Sequence, residues 1–254
     1  MTIYLFPILF ILILFCIIFS IVINISPYHF INALLSDEVL FALTLSLKTS
    51  IIATVLALIV GVPSGYVLSR KDFRFKELID SFINLPILLP PLILGLGLLI
   101  FLGNPPGEYI QKFIQIVFTE KGIILAQFII SSPFIIKTSR ATFEGIDVKY
   151  EQIAKSLGLS DLETFFKITL PMAKNGILSG AILGWARSVG EFGATLMVAG
   201  ATRMKTETMP IAIFLNVSVG NLNLALTIAL IHIVIAVLVI TVVKLLFNSK
   251  SYEY

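Results

Sequence analysis

Six apolar stretches alternate with shorter polar ones along the chain, at about 3–25, 41–68, 84–103, 122–139, 176–200 and 224–247. Each is close to or beyond the roughly twenty residues that an α-helix needs to cross a hydrocarbon core. They predict six transmembrane helices and an all-α integral membrane protein, with 1–254 as a single transmembrane domain. The first run has no Lys or Arg ahead of it and no small-x-small site behind it. It is also longer than a signal-peptide core, so it is expected as a retained span. The fourth is interrupted by Ser131, Ser132, Pro133 and Lys137, which predicts a bent inner end. The second is longer than a span requires and carries Lys48, Thr49 and Ser50 near one end; tilt would accommodate it.

The longest informative polar stretch is 150–171, YEQIAKSLGLSDLETFFKITLP, within a polar region of about 140–175. Ile153 and Leu157 stand one turn apart and give a first short helix one apolar side. Gly158 can end that helix in the left-handed conformation, which a Cβ disfavours. Ser160 followed three residues later by Glu163 is a capping-box pattern that opens a second helix. Leu162, Phe165 and Phe166 would share a side of that helix, and Pro171 is expected to stop it. The charged residues Glu151, Lys155, Asp161 and Lys167 would point away from the apolar side. Two readings stand: a loop lying on lipid headgroups, or a compact helix–turn–helix built to dock on another chain.

Composition agrees with the spans. Hydrophobic residues make up 57% of the chain and charged residues 13%, about half the charged share of a soluble domain. The net charge of +3 matters less than where the cations lie. Arg70, Lys71, Arg74, Lys76, Lys137, Arg140, Lys149, Lys155, Lys167, Lys174, Lys244 and Lys250 fall on one side of the predicted spans. Only Lys112, Lys121, Arg203 and Lys205 fall on the other, while Lys48 and Arg187 lie within spans. Positive residues favour the cytoplasmic side. Both termini and the 150–171 element are therefore expected in the cytoplasm, in a multi-pass protein of the cell membrane.

The fifth run carries the remaining chemistry. Gly176, Gly180, Gly184 and Ser188 recur every four residues and lay a groove along one helix face, which favours close packing of a second helix. Gly61 and Gly65 repeat the pattern on a smaller scale. Arg187, Ser188, Gly190, Glu191, Gly193 and Thr195 follow at a depth where an unpaired charge costs about 3 kcal/mol. Arg187 and Glu191, one turn apart, form either an architectural ion pair or the wall of a pathway with flexible glycines at a gate. Lys48 could attract an anion, although snorkelling to the interface explains it as well.

Other chemistry is missing from the sequence. There is no G-x4-G-K-[ST] phosphate loop, no Cys/His cluster of metal-ligand spacing and no Ser/His/Asp arrangement. His29 and His232 are far apart, and His232 fits a helix interface. Cys16 lies in an apolar run and reads as a small hydrophobe. No basic stripe interleaved with aromatics suggests nucleic acid. An ion-coupled carrier would need ionisable groups within its spans, where Glu191 is the only deep acidic candidate, and an intramembrane enzyme would need paired catalytic groups.

Against this background, Gln152-Ile153-Ala154, Gly158 and Ile168-x-Leu170-Pro171 resemble the E-A-A-x3-G-x9-I-x-L-P signature of ABC-importer permeases. Gln152 and Ile153 depart from it, with a glutamate displaced to Glu151. RSVGEFGATLMVAG at 187–200, KTETMPIAIF at 205–214 and LPILLPPLILGLGLLIF at 85–101 are similar to the permeases of molybdate/tungstate importers, and less closely to sulfate permeases. The resemblance implies a type I importer fold in which Glu151, Gln152, Ala154, Gly158, Ile168, Leu170 and Pro171 couple to an ATPase. It further implies a homodimer in membrane lipid, two cytoplasmic ATPase subunits that bind ATP and Mg, and an extracytoplasmic oxyanion-binding protein facing the loop with Arg203, Lys205 and Glu207. No cofactor is expected in this chain. The same machine carrying sulfate or phosphate is the nearest alternative.

Overall fold

The computed structural model describes residues 5–25 and 27–248, and among these there are helices and no strands. In chain order they are α1 (Leu5–Ile23), α2 (Pro27–Leu34), α3 (Asp37–Arg70), α4 (Lys76–Leu88), α5 (Pro91–Gly103), α6 (Gly107–Phe113) and α7 (Glu120–Glu144). Then come α8 (Lys149–Ser156), α9 (Asp161–Thr164), a π-helical turn (Phe165–Thr169), α10 (Leu170–Val189), α11 (Gly193–Ala199), α12 (Met209–Ser218) and α13 (Leu222–Asn248).

By length and composition, four described helices can cross a membrane: α1, α3, α7 and α13. A fifth span arises if α4 and α5 count together, but they meet at a 111° bend. The uninterrupted run expected at 84–103 is thus broken, for a local reason. Leu89 precedes Pro90, and Pro90 precedes Pro91; both Leu89 and Pro90 are extended, with ψ of 141° and 133°, because a residue before proline is pushed out of the helical region. The expected fifth run at 176–200 also divides, at Gly190 between α10 and α11. Lys174, Asn175 and Arg187 keep α10 from being as apolar as its neighbours. The fourth run, by contrast, passes through Pro133 as one helix from Glu120 to Glu144.

The chain forms two compact units, Met1–Leu45 with Ala201–Leu245, and Ser46–Gly200 with Leu246–Tyr254. In the first, Val39 and Ala42 of α3, Met209 and Ala212 of α12, and Ile228 and Ile231 of α13 make one buried apolar cluster. In the second, α7 packs along α10. A Cβ on Gly184 would come within 2.6 Å of Ile135, one on Gly180 within 3.0 Å of Thr138, and one on Gly176 would overlap the Thr142 side chain. The every-fourth-residue glycines therefore act as a packing groove, and α7 fills it. Gly61 and Gly65 of α3 meet α7 in the same way, at Ile135 and at the Arg140 backbone.

Candidate functional site

The polar element between α7 and α10 is built from capped turns. The Asp147 side chain accepts from Lys149 N–H at 2.9 Å as α8 begins. At the other end of α8, Gly158 adopts φ +92°. The Leu159 N–H then reaches back to the Ala154 carbonyl at 3.2 Å and Gly158 N–H to Lys155 at 2.9 Å, the paired bonds of a Schellman turn. Ser160 caps α9 by accepting from Glu163 N–H while the Glu163 carboxylate accepts from Ser160 N–H at 3.1 Å. Lys155 bridges the turn to Asp161 at 2.6 Å. Glu163 also pairs with Lys167 at 2.8 Å. The Lys167 ammonium first, and the Ser160 hydrogen bonds second, hold the Glu163 carboxyl down at about 2.

Pro171 does not end this second helix. The π turn at Phe165–Thr169 carries the chain from α9 straight into α10, with Pro171 in the first turn of α10. The proline cannot donate to the turn before it, and the widened π register at Phe165–Thr169 is where the continuous helix absorbs that lost bond. The result is one rod, with Phe165 turned inward against Tyr66 and Phe143 at centroid distances of 4.7 and 6.1 Å.

Glu151 is not a surface charge, contrary to the expectation for it. Its side chain is 6% exposed and its Oε1 accepts from Arg70 Nε at 2.8 Å. Tyr66 donates its hydroxyl to Glu151 Oε2 at 3.0 Å, and Arg70 Nη2 donates to the Ile146 carbonyl at 2.8 Å. The base of α8 is thus fixed to the end of α3. Tyr66 and Arg70 were missed as site residues; in the sequence Arg70 is only one more cation after an apolar run.

The motif residues separate into two sets. Glu151 and Ala154 are buried, Ile168 and Leu170 are half-buried, and Gln152, Gly158 and Pro171 are exposed. What the element presents outward is an apolar ridge: Ile153, Leu157, Leu162 and Phe166 are 59, 77, 72 and 61% exposed. Behind it lies a groove of about 340 Å³ lined by residues including Tyr66, Lys71, Lys155, Leu162, Phe165 and Phe166.

The second candidate region is the break between α10 and α11. Arg187 Nη1 pairs with Glu191 Oε2 at 2.7 Å. Glu191, 1% exposed, also accepts from Ala194 N–H at 2.9 Å through Oε1, so its carboxylate both balances Arg187 and caps α11. Gly193 lets α11 sit against the start of α5, since a Cβ there would lie 3.1 Å from Leu92 N. Gly95 of α5 closes on Ala194 in the same way, at 2.7 Å; the sequence reading passed over Gly95. Ser188 and Thr195 are buried, and their hydroxyls find no partner among the described protein atoms. Gln127 of α7 is in the same condition, and its isolation in an apolar run was the available clue. Gly190 is exposed.

Elsewhere, Lys48 is paired with Glu120 at 2.8 Å rather than standing free for an anion. Glu207, expected to face outward, is buried and accepts from Met204 N–H at 2.9 Å. Burial, and then the neighbouring Glu38 carboxylate, raise its pKa above the usual carboxylate range. Arg203 bonds Glu38 at 2.9 Å and Asn216 at 3.4 Å, and Lys205 remains exposed. Among the described residues no group of His, Cys, Asp or Glu could hold a metal ion.

Long apolar helices, a glycine-lined packing face and a rigidly based polar elbow with an apolar crest define a multi-pass permease of the type I ABC-importer fold. The chain belongs to the family of binding-protein-dependent transport system inner membrane components, whose model matches residues 53–250. It is 37% identical over 212 residues to a probable molybdenum ABC transporter permease protein of Haloferax volcanii, covering 84% of this chain and 77% of that one. It is 44% identical over 161 residues to a molybdate/tungstate transport system permease protein of Pyrococcus abyssi, covering 63% and 61%. The fold matches a bacterial ABC transporter involved in the import of alginate with a TM-score of 0.62, at 18% identity over 98% of this chain and 96% of that one. It is a transport permease subunit, not an enzyme.

Proposed function

We propose that this chain forms, as a homodimer, the translocation pathway of an ATP-driven importer for a tetrahedral oxyanion of the molybdate/tungstate class. The observation that carries the docking part is the apolar ridge of Ile153, Leu157, Leu162 and Phe166, raised on a base locked by Glu151, Arg70 and Tyr66. An exposed apolar patch rimmed by charge marks a protein contact. On this reading it seats in a cytoplasmic ATPase subunit, one per permease, and ATP and Mg are handled there. The lysine and arginine bias supports a cytoplasmic position for the element and both termini.

Because the elbow is continuous with α10 through the π turn, movement of the ATPase pulls directly on the helix whose far end is the Arg187–Glu191 break. That pair is internally neutral, so it would not hold an anion in transit, while the exposed Gly190 contributes backbone surface at the gate and the buried Ser188, Gly193 and Thr195 pack behind it. An extracytoplasmic binding protein delivers the cargo and supplies most of the selectivity. The cargo class is supported by the names of the relatives at 37 and 44% identity.

The test is uptake of labelled tungstate into proteoliposomes holding the permease, its ATPase and its binding protein. ATP-dependent uptake that molybdate competes and excess sulfate does not is the expected result. Equal competition by sulfate would move the cargo to sulfate, and uptake without ATP would remove the importer reading.

A further inference from the structure

Helix α4 is amphipathic the wrong way round for a buried element. At about 100° per residue, Leu78, Ile79, Phe82 and Leu85 fall within one arc of roughly 120°. The opposite arc carries Lys76, Asp80 and Asn84. It is this polar arc that meets the rest of the protein: Asp80 Oδ1 pairs with Arg140 Nη1 of α7 at 2.7 Å, and Asp80 and Asn84 are half-buried. The apolar arc faces away, with Leu78 54% and Phe82 61% exposed. No α4 residue is buried.

The bend at Leu89 and Pro90 gives this face a direction. A turn of 111° between α4 and α5 exceeds a right angle by only about 20°, so an α5 standing along the membrane normal leaves α4 lying almost in the membrane plane. Such a helix, apolar on one side, is the geometry of an interfacial element. The approach to it is cationic. Lys71 and Arg74 are exposed and form no ion pair among the described residues, while Asp72 is matched by Lys76 at 2.8 Å. Arg74 lies 5.6 Å from the centre of the Phe75 ring, an aromatic–cation pair at the start of α4. Between α3 and α4 an apolar groove of about 330 Å³, lined in part by Val67, Phe73, Ile79 and Ile83, opens beside these cations.

We propose that α4 and the 71–75 turn form a docking surface for anionic phospholipid, with Lys71 and Arg74 on the headgroup phosphate and the Phe82 face in the acyl region. The charge complementarity commits the surface to lipid of the leaflet that α4 lies in. The assignment needs only that the chain is a membrane protein, and it stands whichever side α4 is on.

The experiment uses the full chain carrying Phe82→Trp in a Trp185→Phe background, or Leu78→Trp if the first does not fold. The protein is reconstituted in equal parts phosphatidylglycerol and phosphatidylcholine, with one or the other lipid brominated on its chains. Quenching of the introduced tryptophan by brominated phosphatidylglycerol should exceed that by brominated phosphatidylcholine, with a relative affinity of up to about thirtyfold from two surface cations. Lys71→Gln with Arg74→Gln should bring the two lipids to the same level. Equal quenching in the unaltered turn would overturn the anionic preference, and an excess that survives both substitutions would overturn the role of Lys71 and Arg74. No quenching by either lipid would mean the face is covered by a second copy or another protein, and the proposal would fall.

Discussion

Removing the Glu151 charge leaves the Arg70 guanidinium buried with the Ile146 carbonyl as its remaining bonded partner. Glu151→Gln should therefore lower stability by about 3 kcal/mol, seen as a lower melting temperature of the purified permease. Replacing both partners by apolar residues, Glu151→Leu with Arg70→Met, should recover most of that loss; a Glu151→Gln variant that melts with the unaltered protein would show the pair contributes nothing. The Glu163 carboxylate behaves differently because it lies at the surface. Glu163 ionises well below its usual value of 4.5, at about 2. A depressed carboxyl adds stability that is fully present above 4.5 and lost as pH falls toward 2. Amide protection in the 158–167 turn should be level above that window and decline within it. Glu163→Gln should abolish the decline, and an unchanged profile would contradict the capping account.

At the scale of elements, Gly158 has open space around its missing side chain, so a substitution there acts through the backbone. A β-branched side chain at φ +92° costs about 1–2 kcal/mol and should reorient α9 against α8. Gly158→Val is expected to stay in the membrane while ATP hydrolysis no longer drives transport; normal uptake would remove the docking role. Gly176→Ala acts through contact, because its Cβ meets Thr142 on α7. It should reduce the yield of folded permease, with Thr142→Gly, which removes the opposing Cβ as well, restoring it, and no rescue would mean the strain lies elsewhere. These elements also show what was legible beforehand. The glycine ladder, the capping box and the Gly158 turn are local patterns with a fixed backbone consequence, so the sequence displays them. The π turn through Pro171, the bend at Pro90 and the partner of Glu151 depend on how α3, α7 and α10 meet. A proline can stop a helix or open one, and only the neighbouring helix decides.

For the whole molecule, the apolar runs indicated a helical membrane protein and the motif resemblance indicated its family, because both are written in contiguous residues. The number of clean spans was less legible, since Pro90, Gly190 and their neighbours interrupt runs that composition alone would join. The central claim is that the ridge on α8 and α9 is an ATPase contact. Its most direct measurement is site-directed cross-linking from Leu157→Cys, in a Cys16→Ser background, in the gently solubilised native complex. The account predicts a cross-link to a separate, stoichiometric ATPase chain whose yield changes with ATP. A permease that purifies alone in several mild detergents, gives no such cross-link and still transports after reconstitution would contradict it.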